Sequence, residues 1–86
     1  MFYVYVLKSE KSGQWYTGST GNLRKRLSQH NLGQSNWTKS GIPWKLIYYE
    51  ACLSEEDAQI REKYLKTGAG KKYLKNRLKR FLSLTG

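Results

Sequence analysis

The sequence predicts an α+β fold, with a small, mostly antiparallel three-stranded sheet flanked by helices in the order β-β-α-β-α-α. Three observations carry this. Two β-branched and aromatic runs, FYVYVLK and QWYTG, are separated only by the turn-rich SEKSG. A third such run, WKLIYYEA, stands alone at 44–51. Helix-period stretches that open on an Asn or Ser cap fill much of the rest. With 86 residues the chain forms one domain, 1–86, and is too short for two.

FYVYVLK at 2–8 reads as the first strand and QWYTG at 14–18 as the second, joined as an antiparallel hairpin because the loop is short. Asn22 caps a helix over about 22–31, with Leu23 and Leu27 four apart and facing inward. The polar segment NLGQSNWTKSGIP has no periodicity, and loops of that length in compact domains are often functional. Its Trp37 packs on the core or stacks on a base, and packing is the expected role. After the third strand, Ser54 opens SEED, a cap followed by three acids in the first turn of a helix running to about Lys66. TGAG at 67–70 ends it. A basic amphipathic C-terminal helix follows at about 70–83, with Leu74, Leu78, Phe81 and Leu82 on one stripe and Lys72, Lys75 and Lys79 opposite.

Hydrophobic residues make up 38% and aromatics 14%, too much for a disordered chain. The formal charge is +10, from 16 Lys+Arg against 6 Asp+Glu. Such a charge strains a small compact state by self-repulsion, so a polyanionic partner is expected, with nucleic acid foremost. Nine of the 16 basic residues lie from Arg61 onward. A single cysteine, Cys52, and a single histidine, His30, exclude an internal disulfide and a four-ligand zinc site. Cys52 has no basic neighbour and is expected to be buried and inert. No apolar run approaches a membrane span and the N-terminus lacks a charged leader, so no membrane association and a cytoplasmic location are expected.

Four kinds of residue could carry chemistry. Arg26 and His30 lie four apart on one helix face, offering a fork for phosphate and a group that exchanges protons near neutral pH. Glu62 is the sole acid after Asp57 and shares a stripe with Ala58 and Leu65, which directs it inward. A carboxylate there needs a partner, either a nearby Arg or Lys or a hard divalent cation such as Mg²⁺. Tyr5 and Tyr16 share a sheet face if paired residues sum to an odd number such as 21. A phosphate-binding P-loop is excluded because no lysine follows Gly18.

In this order these pieces resemble the GIY-YIG nuclease domain, and within it short stand-alone bacterial proteins related to the N-terminal nuclease domain of the excision-repair endonuclease. Tyr3-Val4-Tyr5 stands where the family has Gly-Ile-Tyr, and Tyr16-Thr17-Gly18 where it has Tyr-Ile-Gly. Arg26 matches the family arginine, His30 the histidine-or-tyrosine position one turn on, and Glu62 the metal-binding glutamate. The match extends to about residue 80. Tyr3 and Thr17 depart from the pattern, Ser19 stands where the excision-repair relatives often carry lysine, and Asn76 is a candidate for the family's C-terminal asparagine.

The resemblance implies DNA phosphodiester hydrolysis with one divalent ion, Mg²⁺ or Mn²⁺, on Glu62. Arg26 would stabilise transition-state charge. Tyr16, alone or with Tyr5 and His30, would position and deprotonate the attacking water. Arg24, Lys25, Lys71, Lys72, Lys75, Arg77 and Lys79 would grip nucleic acid, DNA in the first place and RNA not excluded. Sequence specificity is expected to be low, with structure- or damage-related cutting in DNA repair and a protein partner as a possible source of specificity. The alternatives are a non-catalytic nucleic-acid-binding module and an accessory subunit of a repair complex.

Overall fold

The computed structural model describes residues 1–85. Its strands are β1 (Phe2–Ser9), β2 (Trp15–Thr20) and β3 (Trp44–Cys52). Its helices are α1 (Leu23–Asn31), α2 (Glu55–Leu65), α3 (Gly68–Arg77) and α4 (Lys79–Thr85), with a 3₁₀ turn at Lys39–Gly41. The sheet is antiparallel in the order β2-β1-β3, so the first strand is central. Among the described residues, no helix is long and apolar enough to cross a membrane.

The central place of β1 follows from its sequence. Val4, Tyr5, Val6 and Leu7 form an unbroken buried run, which only a strand covered on both faces can support. Val4 and Val6 enter a cluster with Ala58, Leu65 and Leu74 from α2 and α3. Tyr5 and Leu7 face the other way, with Trp44, Leu23 and Leu27. A shift of register after Val6 makes Ile47 an extra residue in β3, so Ile47 and Tyr48 both pack against the first cluster while Leu46 serves the second.

Each long helix starts on a side-chain cap. The Asn22 side chain accepts from the Lys25 amide, Ser54 from Asp57 and Thr67 from Gly70. Outside the first cluster, Arg61 binds both oxygens of Glu50 at 3.0 and 3.1 Å and lies over the rings of Tyr64 and Tyr73. Burial pushes the Glu50 carboxyl up, but hydrogen bonds from Arg61 and Tyr48 more than offset it and leave its pKa lowered. The negative charge in this basic region is therefore tied to structure.

Several expectations are corrected. The hairpin pairs residues summing to 23, so Tyr5 faces Gly18 and Tyr16 faces Leu7; the tyrosines share a face as diagonal neighbours instead of direct partners. The single helix expected at about 70–83 is two helices, α3 and α4, meeting at Leu78. The bend accompanies a change of partner: Leu74 is buried under α2, whereas the Phe81 ring carries Lys45 of β3 at 5.6 Å. TGAG ends α2 as expected, but the next helix starts at Gly68 and not at about 70, because Thr67 caps α3 and the glycines enter it. Gly70 is needed there, since a Cβ on it would overlap the Tyr64 carbonyl where α3 crosses α2. Trp37 does not pack on the core and is 88% exposed, because Trp44 fills the inward slot and donates its indole N–H to the Thr38 carbonyl. Cys52 is half-buried against the first cluster.

The two α3 glycines make a controlled comparison. Gly70→Ala should cost about 1–3 kcal/mol in urea unfolding, as overpacking does. Gly68→Ala, whose Cβ meets nothing within 4 Å, should leave stability unchanged or raised by up to about 1 kcal/mol. Equal effects would contradict the tight α2–α3 crossing.

Candidate active site

The site is built around the Tyr5 phenol. Strand alternation points Tyr5 to the α1 side, where its ring lies across Gly18 of the neighbouring strand. A Cβ at Gly18 would stand 2.6 Å from the phenol oxygen, so only glycine lets β2 pass beneath it. The Tyr5 hydroxyl shares a 2.8 Å hydrogen bond with His30 Nε2, and His30 Nδ1 shares one of 2.7 Å with Thr38 Oγ1. His30 and Thr38 are completely buried and Tyr5 nearly so. A neutral imidazole donates from one nitrogen and accepts at the other, so this chain is satisfied without charge.

The electrostatics keep it neutral. Burial raises the Tyr5 pKa, the Arg26 guanidinium opposes this, and Tyr16 and Glu62 add to it, leaving about 12. Burial lowers the His30 pKa, and the Arg26 charge lowers it further. His30 was expected to exchange protons near neutral pH. It is instead a sealed neutral support for Tyr5. Its inward position was readable, because Leu23, Leu27 and His30 fall at successive turns of one helix stripe.

Around this support stand the half-buried groups. The Tyr16 ring lies 5.1 Å from His30, 6.4 Å from Tyr5 and 6.3 Å from Trp44. Arg26 is held by Gln29, its Nη1 donating at 3.1 Å. Glu62 comes from the opposite side of the sheet, from α2, and meets the β2 edge at Ser19. Ser19 Oγ donates to Oε1 at 2.6 Å and Lys66 Nζ to Oε2 at 2.7 Å. Tyr5, His30 and Tyr16 thus meet on the α1 face of the sheet, where the Arg26 charge acts on Tyr5 and His30, and Glu62 reaches the same edge strand from the other face at Ser19.

Ser19, Lys66, Gln29 and Thr38 were not foreseen as their partners. Lys66 sits four residues after Glu62 on α2, a spacing that could have identified it. Gln29 sits three residues after Arg26 on α1, an equally local spacing, whereas the Thr38 and Ser19 contacts depend on the fold and leave no local mark.

The structure spreads the basic residues. An open cleft of about 680 Å³ runs along β2 and is lined by Trp15, Tyr16, Lys66, Lys71 and Lys75. Lys72, Arg77 and Lys79 are exposed outside it. Lys25 is exposed on α1, and Arg24 lines a separate cleft of about 460 Å³ with Tyr3 and Tyr49.

Glu62 is the one carboxylate at this place. Among the described residues, no group of three His, Cys, Asp or Glu could enclose a metal ion. One oriented carboxylate, its second oxygen held by an exposed lysine, fits an ion that keeps most of its ligands as water and phosphate.

Residues 1–79 match the GIY-YIG catalytic domain. The chain is 45% identical over 67 residues to a UPF0213 protein of Clostridium perfringens, covering 77% of this chain and 71% of that one. It is 38% identical over 74 residues to a UPF0213 protein of Staphylococcus saprophyticus, covering 85% and 89%. A UPF0213 protein of Streptococcus pneumoniae is 40% identical over 65 residues, of which the chain spans 65%. No solved structure gives a significant match.

The buried imidazole makes stability pH-dependent with a defined sign. His30 binds its proton less readily folded than unfolded, so its contribution is full above about 6.5 and is lost as pH falls towards the lower folded value. Glu50 acts in the same direction from about 4.5 downward. Wild-type unfolding free energy should therefore fall as pH drops below about 6.5, by at most about 1.4 kcal/mol per pH unit. In His30→Gln that slope should vanish, with stability at pH 7.5 lower by about 1–3 kcal/mol from the disturbed chain.

Proposed function

The chain belongs to the GIY-YIG catalytic domain family, and on that premise we propose that it is a metal-dependent endonuclease that hydrolyses DNA phosphodiester bonds. The observation that carries this is that β2 holds Tyr16 against Tyr5 and His30 on one face, within reach of the Arg26 charge, and receives Glu62 at Ser19 from the other face. An arginine fork, a phenol and one carboxylate are the groups phosphodiester hydrolysis requires.

Roles follow from which groups solvent reaches. Arg26 binds the scissile phosphate and stabilises the charge that builds on it in the transition state. Tyr16 orients the attacking water and, in its deprotonated form, accepts its proton to become the neutral phenol. Tyr5 and His30 are positioning residues: sealed and neutral, they hold Tyr16 and the β2 edge in place. Glu62 would hold Mg²⁺ or Mn²⁺, which supplies Lewis acidity to the phosphate and the leaving oxygen. Ser19 fixes the carboxylate and Lys66 balances its charge, and these residues would orient Glu62 for the ion. The strand lies along the β2 cleft on Lys66, Lys71 and Lys75, with Lys72, Arg77 and Lys79 adding long-range attraction. Contacts of this kind grip phosphate and carry no sequence code, which supports low sequence specificity.

The test compares wild type with Glu62→Ala on labelled duplex, flapped and four-way-junction DNA in Mg²⁺, Mn²⁺ or EDTA. Wild type should cut only with metal, and Glu62→Ala should lose at least about a hundredfold in rate. Glu62→Ala removes a negative charge and frees Lys66, so its DNA affinity should be equal or higher. Tight binding without metal-dependent cutting in wild type would favour the binding module. Tyr16→Phe, which keeps the ring and removes the phenol oxygen, should cut at least about a hundredfold more slowly with DNA affinity unchanged.

A further inference from the structure

We propose that Trp37 is a base-stacking residue that gives this site a preference for DNA with an unpaired base beside the cut. The inference rests on the phosphodiester-cutting reading above and specifies its substrate class. It begins from a contradiction in the loop after α1. Trp37 is the largest apolar side chain there, and it is 88% exposed. Leaving an indole in water forgoes a large burial gain.

Single exposed apolar residues are ordinary on protein surfaces, and Leu53 and Leu84 are nearly as exposed. Trp37 differs in how it is held. Its neighbours Ser35 and Thr38 are both buried, and the Thr38 amide closes a turn on the Ser35 carbonyl at 3.2 Å. The Thr38 carbonyl accepts from the Gly41 amide and from the Trp44 indole, and its hydroxyl is bound to His30. The backbone beside the indole is therefore fixed to the chain that ends at the Tyr5 hydroxyl. An ordered turn anchored to the site displays an aromatic face outward.

Charge decides what covers that face. Residues 11–49 contain Lys11, Arg24, Lys25, Arg26, Lys39 and Lys45 and no acidic residue. An aromatic face set in an uninterrupted positive stretch suits a polyanion that also offers aromatic faces, and such stacking platforms bind single-stranded nucleic acid. In an intact duplex each base face is already covered by its neighbours. An indole outside the helix gains a partner only at an unpaired, flipped or terminal base. The class of substrate is DNA with a single-stranded segment, a branch or a gap.

The test uses the full chain carrying Glu62→Gln, in EDTA, with fluorescence anisotropy on labelled DNA. The probes are a single strand of roughly 20 nucleotides, the same strand with a central tract of abasic sites, and a duplex. Trp37→Ala should weaken single-strand binding about five- to a hundredfold, and Trp37→Phe should keep most of it. The abasic strand should bind the Trp37 protein as weakly as the normal strand binds Trp37→Ala. Duplex affinity and the salt slope should stay unchanged, because no phosphate contact is lost.

Unchanged single-strand affinity in Trp37→Ala, or equal loss on normal and abasic strands, would overturn the proposal and leave the indole to a protein partner. Cutting by wild type, measured in parallel with Mg²⁺, separates the two readings. Trp37-dependent binding without cutting would sink the nuclease and keep the stacking; cutting without Trp37 dependence would sink the stacking alone.

Discussion

Three polar groups sealed inside an apolar core hold this molecule together at its site. The Tyr5 hydroxyl, the His30 imidazole and the Thr38 hydroxyl come from β1, α1 and the loop beyond it, and each is satisfied by the next. Leaving any one of them unpaired in the interior would cost about 1–3 kcal/mol. The chain can close only when α1 sits on the sheet, the loop folds back under α1, and Tyr5 lies across Gly18. Among the described residues, no buried side-chain nitrogen or oxygen lacks a partner. One short hydrogen-bonded chain thereby fixes the relative positions of the elements that carry Tyr16 and Arg26.

The consequence is a division of labour between groups that support and groups that reach solvent. Histidine and tyrosine invite a reading as proton-transfer groups, but burial moves His30 down and Tyr5 up, away from neutrality in both cases. The proposed reaction is left to Tyr16, Arg26 and Glu62. They approach β2, an edge strand only six residues long, from both faces of the sheet. Gly18 allows the phenol from one side, and Ser19, the next residue, receives the carboxylate from the other. The period of two in a strand is what makes adjacent residues serve opposite faces.

Much of this was legible in the sequence because it is local. The three strands, the Asn22 and Ser54 caps and the inward stripe of α2 follow from spacing and residue type. The shared face of Tyr5 and Tyr16 depended on the parity of the hairpin register, which spacing left open, and the pairing sum of 23 decides it. The length of the last helix misled for a similar reason: the stripe from Leu74 to Leu82 is continuous, but its two ends pack on different elements. Trp37 and Trp44 compete for one inward slot, and composition cannot say which indole wins. The Ser19–Glu62 bond joins residues 43 apart and is invisible to any window. The role of His30 lay between these cases, with an inward helix position that local periodicity gives and a buried partner that it does not.

His30 is the only histidine, so its imidazole can be followed without ambiguity. The most direct measurement is a pH titration of its ring nitrogens by ¹⁵N NMR on the full chain. A buried neutral support predicts one fixed tautomer, with a protonation midpoint below the ordinary 6.5 and reached together with loss of the folded signals. A reversible midpoint at or above 6.5 in a chain that stays folded, with both tautomers averaging, would contradict it. His30 would then be a solvent-facing proton-transfer group, and the division between supporting and reacting residues would fail.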